Sequence, residues 1–178
     1  WMKTIFMSTR KLMDGITSSI KRAQEMTTLN EHYSTSPNET LELGKIIGLQ
    51  LVPNDIILLS GPIGAGKTCL AQGIASGLGF TEYVHSPTFV LVHKYQGNLV
   101  MYHMDLYRID DPLEVIDLGL DEYFSSDSVC VIEWANKYSH LLPKEHLAID
   151  IHISGTDSRI ITTRANGSRY RTLMDAIR

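Results

Sequence analysis

The sequence lacks the features that mark a disulfide-rich, zinc-stabilised or membrane-spanning protein. Its 178 residues include two cysteines, Cys69 and Cys130, and the seven histidines show no Cys/His metal-binding spacing. Both thiols are therefore expected to be free, as in a cytosolic protein. No apolar run approaches the roughly 20 residues of a membrane span, and the first residues lack the apolar stretch of a secretory signal. These absences predict a cytoplasmic location and no membrane contact.

An excess of positive charge is also absent. The formal net charge is −4, whereas a protein that binds nucleic acid directly usually carries a strongly basic surface. We therefore expect any connection with RNA to be indirect, through a partner. Hydrophobic residues make up 43% and charged residues 20% of the chain, which is ordinary for a soluble globular protein with one core.

Residues 1–34 differ in character from the rest of the chain. Basic residues outnumber acidic ones in this segment, and apolar residues between positions 12 and 23 recur at helical spacing. We interpret the segment as a basic N-terminal extension that is either a short amphipathic helix or disordered. Residues 35–178 are then predicted to form the compact domain.

The strongest signal is the segment Gly61–Thr68, GPIGAGKT, which matches the pattern G-x-x-x-x-G-K-[ST]. It follows an apolar strand-like run, Ile56–Ser60, and opens a helix-like segment, which is the context of a phosphate-binding P-loop. The glycines let backbone N–H groups converge on phosphate oxygens. Lys67 is expected to reach the β- and γ-phosphates, and Thr68 to bind Mg²⁺. The loop therefore predicts a nucleotide site.

Two carboxylates are candidates for the second acidic part of such a site. Glu133 ends the apolar run SVCVIE, and Asp105 ends the run LVMYHMD. Either carboxylate is suited to hold Mg²⁺, directly or through water, while the other orients the attacking water. The sequence leaves this choice open, although the run before Glu133 is the more uniformly apolar.

The loop His85–Thr88 lies where P-loop switch proteins present a hydroxyl to the metal or the γ-phosphate. Ser86 or Thr88 is suited to that task, but Pro87 is equally compatible with a plain turn into a strand. Position alone does not separate the two interpretations.

The base is predicted to be adenine. Asn136-Lys137 follows a predicted strand, as in the N-K-x-D segment with which GTPases bind guanine, but the fourth residue is Ser139. A carboxylate that would accept the guanine N–H groups is therefore missing, and ATP/ADP is favoured over the guanine nucleotides.

The order of elements predicts an α/β fold, namely a single small P-loop NTPase domain. Its mixed central sheet is flanked by helices and ends in a C-terminal antiparallel hairpin. Capping boxes predict helix starts at Ser36 and Asp111. The predicted strands after the P-loop are 88–95, 99–107 and 128–134, the hairpin strands are 146–153 and 159–164, and a last short helix follows.

Taken together, GPIGAGKT, SPTFVLVHKY, YHMDLYR, DPLEVIDLGLDEYF and VIEW, in this order, resemble the TsaE (YjeE-type) ATPases of bacterial tRNA threonylcarbamoyladenosine synthesis. The resemblance covers about residues 36–164. It implies an Mg²⁺-dependent ATPase that binds a TsaB–TsaD complex. That complex transfers threonylcarbamoyl to the adenosine next to the tRNA anticodon, and ATP turnover would reset it between cycles.

The resemblance also implies roles for individual residues. Lys67, Asp105 and Glu133 would be catalytic, and Thr68 and Glu133 would hold the metal. Cys69 departs from the family, which usually has threonine there. The nucleotide-contacting set would be Pro37, Thr40, Gly61, Ile63, Gly64, Ala65, Gly66, Lys67, Thr68, Cys69, Thr88, Trp134 and Arg159.

Two other functions remain compatible with a P-loop. A small-molecule kinase would need an acceptor pocket and usually an arginine-bearing lid, and Arg108 is the only arginine between the P-loop and Glu133. A nucleotide-gated assembly module with negligible hydrolysis is the second alternative. Phosphate transfer to a metabolite would favour the first, and partner function without hydrolysis would favour the second.

Overall fold

The computed structural model describes residues 27–177, which form one seven-stranded mixed sheet covered by helices. The extension was predicted for residues 1–34, and residues 1–26 of it lie outside this range. The strands are β1 (Thr27–Ser34), β2 (Ile56–Ser60), β3 (Val92–Gln96), β4 (Val100–Asp105), β5 (Val129–Glu133), β6 (His146–Ile153) and β7 (Arg159–Asn166). The helices are α1 (Pro37–Gly48), α2 (Lys67–Gly77), α3 (Pro112–Asp117), α4 (Leu120–Phe124) and α5 (Ser168–Ala176), with a 3-10 helix at Ala135–Leu141.

The sheet has the order β1-β7-β6-β2-β5-β4-β3. Its centre is parallel, because β2 pairs with β5 and β6, and β4 pairs with β5. Its flanks are antiparallel, with β3 on β4 at one side and β6, β7 and β1 at the other. The predicted fold class and the C-terminal hairpin are therefore confirmed.

The hairpin is not the edge of the sheet. Residues 27–34, which the sequence analysis placed in the extension, form β1 and pair with β7 along its whole length. The alternation of this segment, TTLNEHYS, is too weak and too polar to predict a strand. An edge strand that is solvated on one side needs little apolar character, so the periodicity gave no signal.

The strand predicted at residues 88–95 is wrong in its first half. Residues 88–91 form a turn in which the N–H groups of Val90 and Leu91 donate to Pro87 O, and Leu91 has a φ of 64°. The strand begins at Val92. β-branched and aromatic residues suggested a strand here, but the proline-initiated turn determines the backbone.

β2 is buried on both faces, as its uniformly apolar sequence predicts. Ile57 and Leu59 face a cluster that includes Leu70 and Ile74 of α2, whereas Leu58 faces a second cluster on the opposite side of the sheet. This central strand therefore fixes the start of the P-loop in a rigid core. Within residues 27–177, no helix has the length and apolar character needed to cross a membrane.

Helices α1 and α2 approach each other closely through glycine. A Cβ atom on Gly73 of α2 would lie 2.1 Å from the backbone oxygen of Leu41 in α1, and one on Gly44 would lie 2.4 Å from Leu70 O. Such distances are far below van der Waals contact, so any larger residue must push the helices apart. This contact holds the N-terminus of α1 beside the P-loop.

We expect Gly73→Ala to lower the free energy of unfolding by about 1–3 kcal/mol, because overpacking outweighs the better helix propensity of alanine. Urea denaturation measures this change. Gly155→Ala is the matched control, because a Cβ atom there meets its nearest neighbour at an ordinary 3.5 Å. A Gly73→Ala protein as stable as this control would contradict the close contact.

Candidate functional site

The P-loop follows β2 and leads directly into α2. Gly61, Gly64 and Gly66 have φ values of 141°, 77° and 107°, a region that residues with a side chain rarely adopt. A Cβ atom on Gly61 would also lie 2.5 Å from Ile151 O. The glycines therefore form the turn that places the N-terminus of α2, with its partial positive charge, at the end of the sheet.

Lys67 lies buried at the centre of this loop, with 5% of its surface exposed. Its Nζ donates to Gly61 O at 2.8 Å and to Pro62 O at 2.9 Å. Burial lowers the pKa of Lys67, and the negative charges of Glu133 and Asp105 act in the opposite direction. The site thus contains a poorly solvated cation that is influenced by the charges of two carboxylates. Low solvation strengthens its attraction for anions.

The structure joins the P-loop hydroxyl to Glu133. Thr68 Oγ1 donates to Glu133 Oε1 at 2.9 Å, and His103 Nε2 lies 2.9 Å from the same oxygen. Glu133 and His103 are both buried. His103 was not in the predicted set of site residues. The available signal was a single polar imidazole within the largely apolar run LVMYHMD.

Asp105 has a different partner. Thr88 Oγ1 donates to Asp105 Oδ2, and the N–H of Tyr107 donates to Oδ1 at 2.8 Å. Ser86 Oγ shares a hydrogen bond of 2.7 Å with Thr88 Oγ1. Since Asp105 and Glu133 are direct neighbours across β4 and β5, the 86–88 loop is attached beside the P-loop.

Trp134 covers Lys67. Its backbone is left-handed, with φ 60°, and this turns the indole toward the site immediately after Glu133. The Lys67 ammonium lies 4.0 Å from the indole centroid, within range of a cation–π contact. Tyr107 packs on the same indole at 4.8 Å between centroids.

A cavity of about 210 Å³ adjoins the P-loop on the side of α1. Arg159 supports it, because Nε donates to Ala65 O at 2.8 Å and Nη2 to Gly64 O at 3.1 Å. All lining residues except Asp157 belong to the predicted nucleotide-contacting set. They are Pro37, Thr40, Gly64, Ala65, Gly66, Cys69, Asp157 and Arg159.

The start of α1 is fixed by the strand that sequence analysis missed. Ser36 caps the helix by accepting from Glu39 N, as predicted, while the Glu39 carboxylate reaches back to Thr35 N. Ser34, at the end of β1, shares a hydrogen bond of 2.8 Å with Thr40 Oγ1. β1 therefore positions one wall of the cavity.

Neither Ile63, which was predicted to contact the nucleotide, nor Lys137, which was not, lines this cavity. Ile63 is 70% exposed at the tip of the P-loop. Lys137, of the Asn-Lys segment, donates to the backbone carbonyls of Tyr107 and Ile109. Its ammonium therefore ties the 3-10 helix to the loop after β4, and the preference for adenine stays a prediction.

The donor set fits Mg²⁺ of the kind that P-loops hold. Within residues 27–177 there is no group of three or more His, Cys, Asp or Glu side chains that would form a metal site made of protein alone. P-loop Mg²⁺ does not need one, because substrate phosphates and water supply most of its ligands. Thr68 uses its proton for Glu133, so the lone pairs of Oγ1 remain available to a metal.

Comparison with known proteins identifies the family of this chain. Residues 34–161 match the family model described as "Threonylcarbamoyl adenosine biosynthesis protein TsaE". The chain belongs to the TsaE family. The Bacillus subtilis TsaE protein is 44% identical over 145 residues, which cover 81% of this chain and 90% of the relative. The Treponema pallidum TsaE protein is 37% identical over 129 residues, covering 72% and 96%.

The fold of the TsaE family is also matched by a solved structure. The crystal structure of Bacillus subtilis YdiB superposes with a TM-score of 0.75 at 38% identity, covering 85% of this chain and 95% of that one. The family and the P-loop described above together indicate a nucleotide-binding protein.

Proposed function

We propose that this protein is an Mg²⁺-dependent ATPase that binds a TsaB–TsaD-type complex in the cytoplasm. There it supports repeated threonylcarbamoyl transfer to the adenosine next to the tRNA anticodon. The observation that carries the proposal is the hydrogen bond from Thr68 to Glu133 at the mouth of the P-loop, beside buried Lys67. Membership of the TsaE family supports a role in tRNA threonylcarbamoyladenosine synthesis. The net charge of −4 supports an indirect contact with tRNA.

The chain's own residues supply most of the chemistry. Lys67 and the N–H groups of the loop bind the phosphates and stabilise the negative charge that develops on the γ-phosphoryl oxygens. Thr68 and Glu133 would hold Mg²⁺, which when bound would neutralise negative charge on the nucleotide phosphates. Of the two carboxylates, Glu133 is favoured for the metal because it is the one bonded to Thr68.

Asp105 is then the candidate for ordering the attacking water, together with the 86–88 loop. Its carboxylate holds Thr88 and lies next to Glu133 in the sheet. Arg159 is occupied by P-loop carbonyls, and the Arg108 guanidinium lies 5.0 Å from the ring of Phe89. Neither arrangement suggests an arginine finger, which supports weak hydrolysis by the isolated protein and a dependence on the partner complex.

The proposal is tested by measuring phosphate release from ATP with and without a TsaB–TsaD complex. We expect the isolated protein to turn over below about one ATP per second and the complex to raise this rate at least about tenfold. Turnover of tens per second without partners would contradict partner dependence. Recovery of the γ-phosphate on a metabolite instead of in inorganic phosphate would establish the kinase alternative.

Cys69 offers an independent test of the nucleotide pocket. Its thiol lines the cavity, is partly exposed and donates to Pro37 O at 3.3 Å. Burial raises the pKa of Cys69, with Arg159 acting in the opposite direction, whereas Cys130 is buried and burial raises its pKa to about 12. We expect a disulfide reagent to modify Cys69 first. ATP at ten times its Kd should slow that reaction about tenfold.

A Cys69→Ser protein serves as the control, because it should lack the fast-reacting thiol and leave Cys130 unmodified until unfolding. A modification rate of Cys69 that does not change at saturating ATP would show that the nucleotide does not occupy this cavity.

A further inference from the structure

His103 places a polar imidazole in the core at a position that an apolar side chain could fill. His103 lies in β4, opposite Val131 of β5, and is fully buried. It shares a face of the sheet with Met101, which packs in the apolar cluster beneath the P-loop helix. Burying a polar ring is unfavourable unless it is hydrogen-bonded, and an apolar side chain would fill the same space more favourably.

Only one of the two nitrogens of this ring has a hydrogen-bond partner among the described residues. Nε2 lies 2.9 Å from Glu133 Oε1, whereas Nδ1 is buried and has no hydrogen-bond partner among the described residues. This pattern favours the tautomer that carries its proton on Nε2, because an unpaired acceptor is tolerated better than an unpaired donor. The ring therefore acts as a donor to Glu133.

Glu133 Oε1 thus accepts from two sides, from Thr68 of the P-loop and from His103 of the neighbouring strand. The terminal torsion of a glutamate is intrinsically broad, so two donors at one oxygen fix the plane of the carboxylate. Thr68 belongs to the phosphate-binding loop, whereas His103 belongs to the rigid parallel core.

We propose that His103 is a positioning residue, which holds the Glu133 carboxylate in the orientation needed for Mg²⁺–nucleotide. The inference rests on the proposed function, since it assigns His103 a role in the same site. His103 acts through Glu133, its hydrogen-bond partner. Groups that orient a metal-binding side chain typically affect metal affinity by about 10–100-fold.

Two substitutions of His103 separate orientation from packing. His103→Gln places an amide N–H₂ near the position of Nε2 and keeps a donor for Glu133. His103→Asn has a shorter side chain, whose amide lies near the position of Nδ1 and does not reach Glu133. Both replace the ring with a neutral amide in the same cavity, so they are matched in polarity.

The measurement is the affinity for a non-hydrolysable ATP analogue, by calorimetry, with Mg²⁺ and with a chelator. We expect Mg²⁺ to raise the nucleotide affinity of the parent and of His103→Gln by similar factors. For His103→Asn this factor should be about tenfold smaller. Affinity without Mg²⁺ should stay within about twofold in all three proteins, because the P-loop itself is unchanged. Thermal melting establishes that each variant is folded.

The outcomes distinguish this inference from the function on which it rests. A parent that gains nothing from Mg²⁺ would overturn both. If the parent gains from Mg²⁺ and both variants match it, only the role of His103 is overturned. Equal losses in His103→Gln and His103→Asn, or a loss that is the same with and without Mg²⁺, would show a packing role and overturn the inference as well.

Discussion

Replacing Lys67 by alanine is expected to lower ATP turnover by at least about 100-fold, because the site loses its buried cation. The Lys67 ammonium donates to the P-loop carbonyl of Gly61, and the negative charges of Glu133 and Asp105 act on it. In a poorly solvated site a fixed positive charge stabilises the developing phosphoryl charge far more than it would in water. Phosphate release in the presence of the partner complex measures this loss.

Lys144→Ala is the matched control for Lys67→Ala, because Lys144 is an exposed lysine in the loop before β6. Its turnover should equal that of the parent. A Lys67→Ala protein that is folded by thermal melting and keeps turnover within about tenfold of the parent would contradict the assignment of Lys67 to the phosphates.

Glu133→Gln is the second substitution with a large expected effect. Glutamine has the same shape, and its carbonyl oxygen still accepts from Thr68, so the fold should be retained. The negative charge that attracts Mg²⁺ is lost, and we expect hydrolysis to fall about 100-fold. Nucleotide binding in the presence of a chelator should remain, because Lys67 and the loop are intact.

Glu122→Gln, an exposed change in α4, is the control for Glu133→Gln. It should leave hydrolysis unchanged. Full hydrolysis by Glu133→Gln together with a loss in Asp105→Asn would reverse the roles of the two carboxylates, making Asp105 the residue that serves the metal.

The centre of the fold could be predicted because its signals are local and strong. The run Ile56–Ser60 is apolar at every position but the last, and a strand buried on both faces has this character. Asp105 and Glu133 each end such a run, so parallel pairing of their strands brings them to one edge of the sheet. The P-loop, the two carboxylates and the fold class follow from these features together.

Other parts of the site depend on contacts that a sequence does not display. β1 is a largely polar strand whose pairing with β7 spans most of the chain, and Ser34 positions Thr40 from it. Asp157 reaches the cavity because a turn between β6 and β7 folds toward the P-loop. The bond of His103 to Glu133 depends on the register of two strands, which no local pattern specifies.

The most direct test of the central claim is the number of threonylcarbamoyladenosines formed per TsaB–TsaD complex in a reconstituted reaction with tRNA, ATP and the threonylcarbamoyl donor. If ATP hydrolysis by this chain resets the complex, the parent should support many products per complex and Glu133→Gln no more than about one. As many products with Glu133→Gln as with the parent, while its hydrolysis is lost, would contradict the account. Such a result would show that nucleotide occupancy alone, without hydrolysis, is sufficient.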